Sequence, residues 1–152
     1  MRGVAVGIVG CAVALAACGG ELPERPPATI EGFAPRAGQT YYCAFSATDA
    51  DGLDYVFATL FDDPGNRARM SYGGEELKLV PVDAPPAFDG TQQDVLYAVE
   101  NYPFYDVRLV MEPTGAERER TTYSGRVELR DITTPSAPEV VASREFTGGC
   151  GV

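Results

Sequence analysis

The stretch FYDVRLVMEPTGAERERTTYSGRVELRD, residues 104–131, decides the fold. In its first third Tyr105, Val107, Leu109 and Met111 alternate with Asp106 and Arg108. In its last third Val127 and Leu129 alternate with Arg126, Glu128 and Arg130. Successive side chains of a strand point to opposite faces, so a period of two reads as a strand with one apolar and one charged face. Thr114 to Glu119, charged and carrying Gly115, read as the hairpin loop between a strand over 104–112 and another over 120–131.

The same pattern extends to both sides. Tyr41, Cys43 and Phe45 alternate with Tyr42, Ala44 and Ser46. The run Tyr55 to Phe61 stops at Asp62-Asp63-Pro64-Gly65-Asn66. That is a turn, because Pro presets φ while Gly and Asn tolerate positive φ. Strands then read over 67–72 and 76–82 around a Gly73-Gly74 break, over 94–100 after a polar Pro-rich loop (83–92), and over 139–146. No helical period follows residue 20. The expectation is an all-β fold, a small antiparallel barrel or sandwich of about eight strands, spanning residues 39–152. One sheet face would be wet, as the charged outward positions require.

Composition narrows the function. The formal charge is -10, from 22 acidic and 12 basic side chains. Nucleic-acid binding rests on Lys and Arg neutralising phosphates, so no nucleic-acid partner is expected. Anionic membrane surfaces are poor electrostatic partners for the same reason. The chain has no His, which removes Ser-His-Asp and Cys-His catalysis and the usual zinc sites. No cofactor and no catalytic residue are expected.

Residues 1–18 read MRGVAVGIVGCAVALAAC. Arg2 makes a positive start and Val4 to Ala14 an apolar run too short to span a bilayer, which takes about 20 residues. Length and flanks fit a signal peptide over 1–17. Leu15-Ala16-Ala17-Cys18 resembles the lipobox of bacterial lipoproteins. The resemblance implies cleavage before Cys18, diacylglycerol on its thiol and acylation of its amine, hence a membrane attachment through lipid. Two or three chains hold stably, each buried methylene adding about 0.8 kcal/mol. Gly19 stands where an Asp commonly retains Gram-negative lipoproteins in the inner membrane, so the resemblance implies the periplasmic leaflet of the outer membrane. Residues 18–38, with four prolines, two leading glycines after Cys18 and no hydrophobic period, read as a tether, Ile30 and Phe33 docking onto the domain.

Four cysteines sort by place. Cys11 leaves with the signal peptide and Cys18 takes the lipid. Cys43 and Cys150 remain in an oxidising compartment, where a disulfide between them is expected. A loop of about 100 residues gives roughly 4.7 kcal/mol in the chain-entropy account.

Three groups of side chains invite chemistry. Asp49, Asp51 and Asp54 offer alternate oxygen ligands for calcium, but Gly52 is fourth where an EF-hand loop needs it sixth. Asp62-Asp63 and Glu75-Glu76 are carboxylate pairs, yet neighbours on a strand face apart. Tyr97, Tyr102, Phe104 and Tyr105 cluster around Pro103 as a binding patch for protein or glycan, rigid aromatic area being what such patches use. Ser124-Gly125 reads as a strand residue beside a bend.

Tyr42-Cys43 in the first strand, the final Cys150, about eight strands and the lipobox together resemble the membrane-bound inhibitors of C-type lysozyme. That resemblance implies a small periplasmic barrel whose loop plugs the lysozyme cleft. The family's Ser-Gly-x-x-Tyr loop would fall near residues 83–97. Here the chain reads VDAPPAFDGTQQDVLY up to Tyr97, without Ser-Gly, and Trp is absent throughout. No inhibitory residue is carried over. The leading expectation is a non-enzymatic envelope lipoprotein whose β-domain binds a protein or cell-wall component. Lysozyme inhibition and carriage of a small apolar ligand inside the barrel are the alternatives.

Overall fold

The computed structural model describes residues 28–49, 54–61, 63, 65–83 and 86–151. The signal peptide, Cys18 and the first part of the tether lie outside them, as do Asp51 and Asp62. The described residues hold nine strands and no helix: β1 (Ile30–Glu31), β2 (Tyr41–Ala47), β3 (Tyr55–Leu60), β4 (Ala68–Tyr72), β5 (Glu75–Pro81), β6 (Gln93–Val99), β7 (Tyr105–Glu117), β8 (Arg120–Asp131) and β9 (Glu139–Cys150).

From β2 to β9 each strand pairs antiparallel with the next, and β9 pairs back onto β2. The result is a closed up-and-down barrel of eight strands with β1 as an extra strand. Of the two architectures that the alternation allowed, closure leaves the barrel and removes the sheet edges a sandwich would have to protect.

Register places the apolar face inside. Val107 lies opposite Leu129, and Leu109 opposite Val127; all four are buried. On the outer face Asp106 lies opposite Arg130 and accepts two hydrogen bonds from its guanidinium, both 2.7 Å. Arg108 forks onto Asp94 at 2.9 and 2.7 Å. Planar two-point pairing holds these strands in line more firmly than a point charge would.

Aromatic rings fill the interior. Phe45 stacks on Phe146 at 4.5 Å and on Phe57 at 5.9 Å, and meets Tyr123 edge-on at 6.4 Å. Tyr97 meets Phe57 edge-on at 5.3 Å. Such pairs add roughly 0.5–1.5 kcal/mol each beyond their buried area. Met70, Leu79, Leu109, Met111 and Leu129 occupy the rest. A bulge opposite Phe45 and Ser46 turns Val56 into the core next to Phe57, so these two successive residues of β3 both join the core cluster.

Two boundaries differ from the expectation. The stretch 114–119 is not a loop: β7 continues to Glu117, and the turn is only Arg118-Glu119, with Arg118 at φ 57°. A bulge at Thr114, next to Pro113, keeps the ladder going, and the hairpin then projects past the end of β6. Nor does the last strand end at Phe146. It runs through Gly148 and Gly149 to Cys150, between β2 and β8. A Cβ on Gly148 would strike the Ala44 carbonyl, and one on Gly125 the Val110 carbonyl. The glycines therefore mark close approach of backbones and not the end of a strand.

Cys43 and Cys150 face each other across the β2–β9 seam and are disulfide-bonded, 107 residues apart in sequence. The bond joins the first barrel strand to the last, at the seam that closes the ring.

The sheet also takes in residues before 39. Ile30, 2% exposed, pairs with Tyr72, and Glu31 with Ser71. Phe33 bridges to Tyr55. The chain then runs over the outside of β3 and β4, where Arg69 is covered. Its guanidinium carbon lies 4.5 Å from the Phe33 ring centroid and 5.6 Å from that of Tyr41. Gln39 and Glu76 supply oxygens at 3.3 and 3.6 Å. A buried guanidinium needs such partners, and the two rings add stacking against it.

Candidate functional site

The barrel has two rims. The upper rim holds the disulfide, the β3–β4 and β5–β6 loops and the β7–β8 hairpin. The lower rim holds the β2–β3, β4–β5, β6–β7 and β8–β9 connections.

At the lower rim stand three of the four aromatics singled out from the sequence. Tyr102 and Tyr105 line a cavity of ≈ 200 Å³ together with Tyr72, Leu77, Val99, Leu129 and Glu75. Tyr102 donates its hydroxyl hydrogen to Glu75 at 2.6 Å. That bond and the nearby negative charge push the Tyr102 phenol above its ordinary pKa. Phe104 stands outside the cavity, 62% exposed, its carbonyl accepting from the Ile132 amide at 2.8 Å. Val140 and Val141 continue the apolar rim on β9, where a bulge after Leu129 leaves Val141 without a partner on β8.

Tyr97 does not belong to this patch. It points inward from β6 and is fully buried, on the face it shares with Val95 and Val99, whereas Tyr102 lies beyond the strand in the β6–β7 connection. Burial drives its phenol well above the usual value, and among the described residues its hydroxyl finds no hydrogen-bond partner.

The upper rim was missed as a set. Phe88 folds back into the barrel mouth, 3% exposed at φ 47°. A bulky residue in that conformation costs on the order of 1–2 kcal/mol, which burial of a Phe ring, worth about 1.5–3 kcal/mol, offsets. Tyr42 packs 6.3 Å from Phe88 and 6.4 Å from Phe61. Gly90 donates its amide to the Tyr123 hydroxyl at 2.8 Å, and Asn66 its side-chain amide to the Pro86 carbonyl at 3.2 Å. The loop is thus pinned, while Phe61 and Val82 stay 45% and 57% exposed. Within a Pro-rich loop, Phe88 was the one signal that could have revealed this plug.

Several of the singled-out carboxylates are engaged elsewhere. Asp49 binds Arg144 at 3.0 Å, and Arg144 also donates to the Ile30 carbonyl at 2.8 Å. Asp54 is exposed. Among the described residues no three His, Cys, Asp or Glu gather as a metal site. Glu75 and Glu76 point apart, Glu75 to Tyr102 and Glu76 to Arg36 at 2.7 Å. Ser124 is a strand residue of β8 opposite Glu112 and Thr147.

Comparison with protein families, with characterised proteins and with solved structures finds no match for this chain.

Proposed function

We propose that this chain is a non-enzymatic lipoprotein of the cell envelope, held by lipid on Cys18, whose barrel binds a protein or cell-wall partner through its upper rim. The lipobox-like Leu15-Ala16-Ala17-Cys18 supports the anchor. The observation that carries the binding reading is the upper rim itself: the pinned β5–β6 loop exposes Val82, and the β3–β4 connection exposes Phe61 against the half-buried Tyr42. Rigid apolar side chains on an ordered rim lose little entropy on binding, as an interface anchor should. The ring-filled interior speaks against carriage of a ligand inside the barrel.

The test is a crosslinked pull-down from intact cells with the wild type, Cys18→Ala and the double variant Phe61→Asp/Val82→Asp. A partner enriched by the wild type, lost with Cys18→Ala and weakened about tenfold by the double variant, some 1.4 kcal/mol, is the expected result. Equal enrichment by the double variant would move the binding surface elsewhere.

Lysozyme inhibition is the second reading, favoured by the position of the 82–92 loop on the rim away from residues 28–31. Purified barrel at near-stoichiometric dose should then protect cell-wall substrate from lysozyme. Unprotected substrate ends that reading.

A further inference from the structure

We propose that the lower rim rests on the lipid surface, with Tyr102, Phe104, Val140 and Val141 in the headgroup region of a zwitterionic bilayer. The proposal rests on the lipid-anchor reading of Cys18.

The first support is where the described chain joins the barrel. The Gly73 amide donates to the Thr29 carbonyl at 3.1 Å, and the Gly74 amide to the Glu31 carboxylate at 2.9 Å. The next residue, Glu75, holds the Tyr102 hydroxyl. A continuous set of contacts thus links Thr29 to the aromatic rim. From Cys18 to Ala28 is a step of ten residues, at most about 35 Å of fully extended chain. An anchor at Cys18 therefore holds the end of the barrel that carries Thr29 and Ile30 within about 35 Å of the bilayer.

The second support is the chemistry of the rim. The described residues include six large hydrophobic side chains that are well exposed, and four of them stand here: Tyr102, Phe104, Val140 and Val141. Aromatic rings with an apolar body and a polar tip favour the membrane–water interface. Aliphatic neighbours add buried area there. Among the described residues the upper rim offers only Phe61 and Val82.

Charge selects the lipid. Glu75, Glu100 and Glu139 are exposed at the same rim, and anionic headgroups would repel them. The surface that fits is zwitterionic.

The chain has no Trp, so Phe104→Trp and Phe61→Trp each place a single reporter at one rim. Both sites are exposed, and the barrel should fold with either. Full-length lipidated protein is reconstituted into vesicles of phosphatidylethanolamine and phosphatidylcholine with brominated acyl chains. Emission of the 104 reporter should fall roughly twofold against unbrominated vesicles, as insertion to the headgroup–acyl boundary brings. The 61 reporter should not change, and added phosphatidylglycerol should weaken the quenching. Flotation of the wild type but not of Cys18→Ala checks the anchor itself. Flotation with an unquenched 104 reporter overturns the docking alone and leaves the rim to a protein partner. Equal quenching at 61 overturns the end-on placement. Failure to float overturns the anchor and the docking with it.

Discussion

Tyr97 shows how much turns on one side chain. Its ring belongs to the aromatic core, but its hydroxyl is buried without a partner among the described residues. An unpaired buried hydroxyl keeps its desolvation cost, about 1–3 kcal/mol, with nothing returned. Tyr97→Phe should therefore stabilise the barrel by roughly 1 kcal/mol, read as a higher urea midpoint at unchanged m. A lower midpoint would mean that the hydroxyl has a partner after all. The alternation of Val95, Tyr97 and Val99 was visible in the sequence, and it places Tyr97 with the core. Proximity to Pro103 suggested the patch instead. Parity along a strand decides which face a residue shares, and proximity in sequence does not. Phe88 stood out as a lone aromatic in a Pro-rich loop, but its role was not legible: a loop residue becomes a plug only when a barrel mouth lies beneath it.

At the scale of the element, β1 is the least expected part. Two residues from a Pro-rich stretch pair with β4, and Ile30 enters the core. Its carbonyl is held by Arg144 from β9, so this short strand ties together two parts of the wall far apart in sequence. Ile30→Ala should cost about 2–5 kcal/mol, the range for emptying a buried aliphatic site. Thermal unfolding followed by circular dichroism checks this. A loss below about 0.5 kcal/mol, as at an ordinary surface position, would make β1 an ornament of the fold. The docking of Ile30 and Phe33 was expected from their apolarity amid polar neighbours. Strand pairing was not, because two residues carry no period. The lengths of β7 and β9 were underread for a related reason. Gly, Pro and charge usually punctuate strands, but here bulges and close backbone contacts use them within strands.

For the whole molecule, closure is the decisive fact, and the Cys43–Cys150 bond fastens the closing seam. Reduction, or Cys43→Ser with Cys150→Ser, should lower stability by about 2–5 kcal/mol. The thermal midpoint should fall on the order of 10 °C, measured with and without reductant on the wild type and on the double variant. A midpoint indifferent to reductant would mean that the ladder hydrogen bonds and the ring-filled core suffice. The seam also gives the molecule two unlike ends: a pinned, sparsely apolar rim beside the disulfide, and a richly apolar rim beside residues 28–31. That polarity is what both proposals use.

The sequence by itself determined the all-β class, the approximate strand count, the apolar and charged faces and the cysteine pair, because period-two patterning and the sorting of four cysteines are local facts. Barrel against sandwich, the β1 strand, the Phe88 plug and the sharing of Tyr102, Phe104 and Tyr105 with Val140 and Val141 were decided only by tertiary structure. Each depends on which strands become neighbours when β9 returns to β2, and pairing between segments some hundred residues apart leaves no periodic trace in the chain.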